Sequence, residues 1–136
     1  MNLDLIRVLL DFGLFVLIWL VQLVVYPSFR YFRPKDLLNF HKVYTTRVAI
    51  VVMPLMVGQL LIYTYHLVTQ HSIFNIIGLG LVALTWTSTF FQFVPLHKKI
   101  SDENSSETTL IKLIKLNWLR TFIWTALFIA SLFHYS

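Results

Sequence analysis

Phe12-Gly13-Leu14-Phe15-Val16-Leu17-Ile18-Trp19-Leu20-Val21-Gln22-Leu23-Val24-Val25-Tyr26 is the stretch that decides the fold. It holds no charged residue. Extended back to Leu5, it is long enough to cross a hydrocarbon layer of roughly 30 Å, which takes about 20 helical residues. Three more apolar segments follow: Val48 to Val68, Ile73 to Pro95, and Leu119 to Phe133. Strand-like alternation is absent, and only 4 Gly and 4 Pro punctuate the chain. The sequence predicts an all-α membrane protein, one integral membrane domain over residues 1–136, with no internal repeat or linker.

Composition points the same way. The chain is 57% hydrophobic and 12% charged, with a mean hydropathy of +0.72. A soluble domain carries roughly 25% charged residues to wet its surface, so an ordinary soluble enzyme is excluded. Twelve Phe, 6 Tyr and 4 Trp exclude intrinsic disorder. The absence of cysteine removes disulfides, thiolate catalysis and cysteine-ligated metal. A pI near 9.7 would suit nucleic acid, but the basic residues stand between apolar runs, which is a membrane pattern. Nucleic-acid binding has no support.

The first segment could be a secretory signal, but Arg7 lies between Asp4 and Asp11 and the run ends in Tyr26-Pro27-Ser28-Phe29. Without a basic leader or a small-residue cleavage site, it reads as an uncleaved helix. Orientation follows from the basic residues. Arg30, Arg33, Lys35, Lys42 and Arg47 fall in the first connection, and Lys98, Lys99, Lys112, Lys115 and Arg120 around the third. Only Arg7 lies on the other side. The positive-inside rule puts both connections in the cytoplasm and both termini outside, as in a bacterial inner membrane. The short Thr69-Gln70-His71-Ser72 turn makes the second and third helices antiparallel neighbours, so the expected architecture is a four-transmembrane-helix up-down-up-down bundle. Helices 2 and 4 are expected to begin early, in the cytoplasmic interface. Pro34 suits a first helical turn, and Ser105 or Ser106 before Glu107 suits an N-terminal cap. The second helix carries Pro54, where a kink is expected. Ser101 to Ser106 reads as a polar loop.

Polar side chains inside apolar spans are costly, so they are the informative ones. Each helix offers a row of them. Trp19, Gln22 and Tyr26 lie on the first; His41, Tyr44 and Arg47 on the second, with Gln59 deeper. The third carries Thr85, Ser88, Thr89 and Gln92, then Pro95 and His97; the fourth carries Asn117, Arg120, Thr121 and Trp124. Most belong to the cytoplasmic half, which predicts a polar pocket there. Blander readings stand beside this one. Tyr26, Trp118 and Trp124 suit an interfacial belt, the threonines and Ser88 suit helix packing, and Arg47 and Arg120 suit snorkelling to phosphates. Gln22 and Gln92 could pair with each other. His41, Lys42 and Arg47 could form a basic collar at the headgroups.

That half contains no carboxylate. Asp11 sits near the outer face, one turn after Arg7, and is expected to pair with it. Carboxylate-based hydrolysis and di-iron chemistry therefore lack support. Of the five histidines, His41 and His97 fall on the inner side and His66, His71 and His134 on the outer, with no metal-ligand spacing; no metal or other cofactor is expected. The candidate catalytic set is His41 as base, Tyr44, and Arg47 or Arg120 stabilising negative charge. Gln22, Tyr26, Gln92, His97, Asn117 and Trp124 are the candidate ligand-binding residues, with His97 capping the cavity.

Phe93-Val94-Pro95-Leu96-His97-Lys98-Lys99-Ile100 and Leu116-Asn117-Trp118-Leu119-Arg120-Thr121 resemble segments of the small four-helix membrane proteins related to fungal anthrone oxygenases, and Val25-Tyr26-Pro27-Ser28-Phe29 is compatible with them. His97 departs from the asparagine usual there, and His41-Lys42-Val43-Tyr44 has no match. The resemblance covers the layout and about a dozen positions. It implies cofactor-independent oxygenation of an enolisable polycyclic substrate, or another reaction on that scaffold, and it raises Asn117 and Arg120 as site residues. Two functions are therefore expected to compete. One is a small membrane enzyme or small-molecule or lipid binder whose polar rows face inward. The other is an accessory subunit whose rows face outward. The partners are the bilayer, a hydrophobic or anionic small molecule for the first, and further copies of the chain or a larger membrane complex for the second. For the topology, a reporter active only outside the cytoplasm should give signal when fused after Ser136. Activity only from a cytoplasmic reporter would reverse the orientation.

Overall fold

The computed structural model describes residues 1–102 and 106–136. They form four helices: α1, Leu3–Tyr31; α2, Pro34–Thr69; α3, Ile73–Ser101; and α4, Glu107–Tyr135. Each is long and apolar enough to cross a membrane. Local chemistry starts three of them. Side-chain oxygens of Asn2, Ser72 and Ser106 accept from the backbone N–H of Leu5, Asn75 and Thr109, satisfying donors with no partner inside the helix. Pro34 occupies the first turn of α2, where its missing N–H costs nothing. Of the two serines expected to cap α4, Ser106 does so, and Ser105 lies outside the described residues, as does half of the expected polar loop; Ser101 itself is helical.

The chain folds into an up-down-up-down bundle. α1 packs between α2 and α4, and α3 closes the ring against both. Two helices run further than their apolar lengths suggest. α1 passes Tyr26 to Tyr31, and α3 passes Pro95 to Ser101. A proline ring removes one intrahelical donor and crowds the preceding turn. Here the backbone widens instead of breaking: Val21–Val25 and Thr89–Phe93 are π-helical, directly upstream of Pro27 and close to Pro95. α2 continues through Pro54.

The bundle exposes many large apolar side chains and buries polar ones among an apolar core. Leu23, Ile50, Phe91 and Phe122 are exposed, whereas Arg7, Asp11, Gln22, His41, Gln59, Asn75, Asn117 and Arg120 are buried. A water-soluble fold inverts this distribution. In hydrocarbon, polar groups that face the interior and bond one another are the low-cost arrangement.

Away from the basic connections, Asp11 ties the helices together. It accepts from Gln59 Nε2 at 2.7 Å and from the Tyr63 hydroxyl at 2.6 Å, while Gln59 Oε1 accepts from Trp124 Nε1 at 3.2 Å. The expected Arg7–Asp11 pair does not form. Arg7 turns instead to Asp4 at 3.0 Å and to Asn75 Oδ1 at 3.3 Å, lying over the Phe74 ring. The i,i+4 spacing permits an ion pair, but α2 supplies neutral donors for the carboxylate and α3 an acceptor for the guanidinium.

Tyr63 reaches Asp11 only because Gly78 leaves room. A Cβ at Gly78 would lie 2.6 Å from the Tyr63 ring, whereas at Gly80 it would meet nothing within 4 Å. Gly78→Ala should therefore destabilise by about 1–3 kcal/mol through overpacking. Gly80→Ala should be neutral or stabilising by up to about 1 kcal/mol from helix propensity. Unfolding midpoints of the two variants in one detergent check the contrast.

Candidate functional site

Arg120 is the centre of the site. It lies on α4, 7% exposed, at the end of the bundle that bears the basic connections. Its guanidinium donates Nε and Nη2 to Asn117 Oδ1 at 3.2 and 2.8 Å, Nη2 also to the Tyr26 hydroxyl at 3.3 Å, and Nη1 to Thr89 Oγ1 at 3.2 Å. The Phe93 ring lies under it, 3.5 Å from Cζ. Every one of these partners is neutral. Among the described residues no carboxylate pairs with Arg120.

Behind it, Gln22 fixes the acceptor that orients the cation. Gln22 Oε1 accepts from Asn117 Nδ2 and from the Thr121 hydroxyl, both at 2.9 Å, and its amide donates to the Ile114 carbonyl. This consumes the Asn117 amide protons' side of the pair and leaves Oδ1 facing Arg120. The π-helical turn that contains Gln22 sets the phase between it and Tyr26, so both meet α4.

Beyond Tyr26 the bonds continue as a chain. Its hydroxyl lies 3.1 Å from His97 Nε2; His97 Nδ1 lies 2.8 Å from His41 Nε2; His41 Nδ1 lies 3.3 Å from Ser101 Oγ. Arg120 can only donate, so Tyr26 oxygen accepts from it. One arrangement then gives Tyr26, His97 and His41 both roles. Tyr26 donates to His97 Nε2, His97 Nδ1–H donates to His41 Nε2, and His41 Nδ1–H donates to Ser101. Ser101 is exposed; His41 is buried completely.

A cavity of about 360 Å³ adjoins this network, at the small end of the usual range for small-molecule sites. Tyr26, Tyr44, Thr45, Thr89, His97, Lys98, Ser101 and Arg120 supply its polar wall, and Ile18, Val21, Val48, Val52 and Trp124 much of the apolar one. It opens between α2 and α3, where its lining residues Ala49, Met53 and Val94 are exposed.

The sequence candidates are thus only partly gathered. Tyr26, Tyr44, His97, Arg120 and Trp124 meet at the cavity. Gln22 and Asn117 are buried behind it as supports. The expected order of the histidines is reversed: His97 lines the cavity, and His41 stands behind it as its partner. Arg47 is exposed, lines nothing in the cavity, and has no hydrogen-bond partner among the described residues. It shares the i,i+3 row with Tyr44, but α2 turns Tyr44 toward His97 and leaves Arg47 outside. Gln92 does not meet Gln22; it accepts from Ser88 at 2.7 Å. Thr89 comes from the polar row expected on the third helix; the contributions of Phe93 and Ser101 were not foreseen. Pro27 and Pro95, each inside a helix shortly after the turn that widens, were the available signals for the π-helical turns. No protein-family model, curated protein or solved structure matches the chain.

Asn117→Leu should cost about 1–3 kcal/mol, because it strips Arg120 of its main acceptor and Gln22 of a donor in a buried setting. Gln92→Leu should stay within about 0.5 kcal/mol. Equal unfolding midpoints for the two variants would mean that the Gln22–Asn117–Arg120 network is not formed.

Proposed function

We propose that this chain is an integral membrane protein that binds an amphiphilic small molecule, taken up from the bilayer between α2 and α3 and anchored by an oxygen acceptor at Arg120. The observation that carries the reading is a buried guanidinium without a carboxylate partner, set beside a mostly apolar cavity. A cation in a low-dielectric site attracts negative charge strongly, and the neutral partners of Arg120 satisfy its donors without cancelling that charge. The exposed apolar belt suits lipid, and the ten-to-one placement of Lys and Arg favours basic connections in the cytoplasm of a bacterial cell with both termini outside.

The inward direction of Gln22, Tyr26, Asn117 and Arg120 favours binding over the accessory-subunit alternative, in which such groups would face a neighbouring protein. An oxygenase-like reaction on an enolisable ligand, as the family resemblance implies, would draw on the same pocket: a cation for a developing oxyanion and an imidazole close by.

The test compares two probes of similar size, 2-naphthoate and naphthalene, by equilibrium dialysis against protein in lipid nanodiscs. Arg120→Met should weaken 2-naphthoate binding by about ten- to a hundredfold, the range expected for a lost charged hydrogen bond. Naphthalene binding should change little. Equal affinities of wild type and variant for 2-naphthoate would remove Arg120 as the anchor.

A further inference from the structure

The geometry points to a proton relay, Tyr26–His97–His41–Ser101, that strips a proton from a weak oxygen acid as it binds: a phenol, an enol or a carboxylic acid, held afterwards as its anion beside Arg120. The inference rests on the binding reading above and deepens it by naming the class of ligand.

Two physical constraints pull in opposite directions at this cavity. Its opening between α2 and α3 is edged by the exposed apolar residues Ala49, Met53 and Val94 as well as by Lys98 and Ser101, and a charged group in hydrocarbon is expensive, so a ligand that enters from the apolar side enters neutral. Arg120 at the far wall is a buried cation that a neutral ligand leaves uncompensated. A weak acid meets both conditions if its proton has somewhere to go. The row of side chains provides the path. Distances of 3.1, 2.8 and 3.3 Å link Tyr26, His97, His41 and Ser101, and the two imidazole rings stack at 5.0 Å. Ser101 ends the row at an exposed position on the last turn of α3, where it and Lys98 also line the cavity and Lys99 follows.

The transfer balances without any further reactant. The ligand O–H gives its proton to the Tyr26 oxygen as the Tyr26 proton moves to His97 Nε2. The His97 Nδ1 proton moves to His41 Nε2, and the His41 Nδ1 proton leaves through the Ser101 hydroxyl to water. One proton leaves the ligand and one reaches solvent. The O–H electron pair stays on the ligand oxygen, now facing Arg120. The titratable and charged groups facing this route are Tyr26 from α1, His41 and Tyr44 from α2, His97 and Lys98 from α3, and Arg120 from α4. Among the described residues no carboxylate bonds to any member of the row, so none competes for the proton along it.

His41 does not line the cavity, which makes it the informative link: it acts through His97. Glutamine at this position can still accept from His97 Nδ1 but cannot hand a proton on through a ring. The probe is 4-nitrophenol, yellow only as its anion, added to nanodisc-embedded protein at a pH where the free phenol is protonated and colourless. Wild type should turn bound probe yellow and release one proton per molecule bound, read with a pH dye in the medium. In stopped flow, His41→Gln should reach the same final colour at least tenfold more slowly; His97→Gln breaks the row one link nearer the cavity and should also slow it, so the test survives misfolding of either variant. Probe that binds by dialysis yet stays colourless in wild type would overturn the relay and leave the binding reading standing. Colour that develops in both variants at the wild-type rate would overturn it as well. Absence of binding would remove both.

Discussion

A guanidinium held in a low-dielectric interior without a carboxylate is the constraint around which the basic end of this bundle is organised. An unpaired buried charge is among the most expensive features a fold can carry. Arg120 is accommodated by spreading its donors over Asn117, Tyr26 and Thr89 and by resting its face on Phe93. Those partners come from three helices, so the positions of α1, α3 and α4 are fixed relative to one another by the needs of one side chain. The cavity adjoins this network and has Arg120 in its lining.

The two ends of the bundle solve opposite problems. Around Asp11 a carboxylate is sheltered by neutral donors from Gln59 and Tyr63; around Arg120 a cation is sheltered by neutral acceptors. Trp124 joins them. Its indole N–H reaches Gln59, the partner of Asp11, while its ring lines the cavity and stands 5.8 Å from the Arg120 Cζ. At the opposite end the buried Arg7 bonds Asn75 and the half-exposed Asp4, so that its charge is met by a carboxylate. This difference is why a function is read from one end and a structural tie from the other.

Helix number, order and the early starts at Pro34 and Ser106 were legible in the sequence, because span length, proline position and serine caps act locally. The continuation of α1 and α3 beyond Pro27 and Pro95 was not, since a proline reads as a stop and the π-helical turns that absorb it depend on neighbouring helices. Polar rows were legible as rows, but their pairings were not. Gln22 and Gln92 are both amides in apolar helices, yet one bonds across to α4 and the other within its own helix. Arg7 and Asp11 have helical ion-pair spacing and still find partners elsewhere: Asp11 takes tertiary donors from α2, and Arg7 takes Asp4 on its own helix and Asn75 on α3. Arg47 and Tyr44 share one row, and a small rotation of α2 sends one to the cavity and the other outside. Only packing decides such cases.

The most direct measurement of the central claim is native mass spectrometry of the protein extracted from its own membrane. If Arg120 is the anchor of an anionic ligand, wild type should retain an acidic small amphiphile in a one-to-one complex, and Arg120→Met isolated in parallel should lack it. Identical adducts on the two proteins, or no adduct on either beyond bulk phospholipid, would contradict the account.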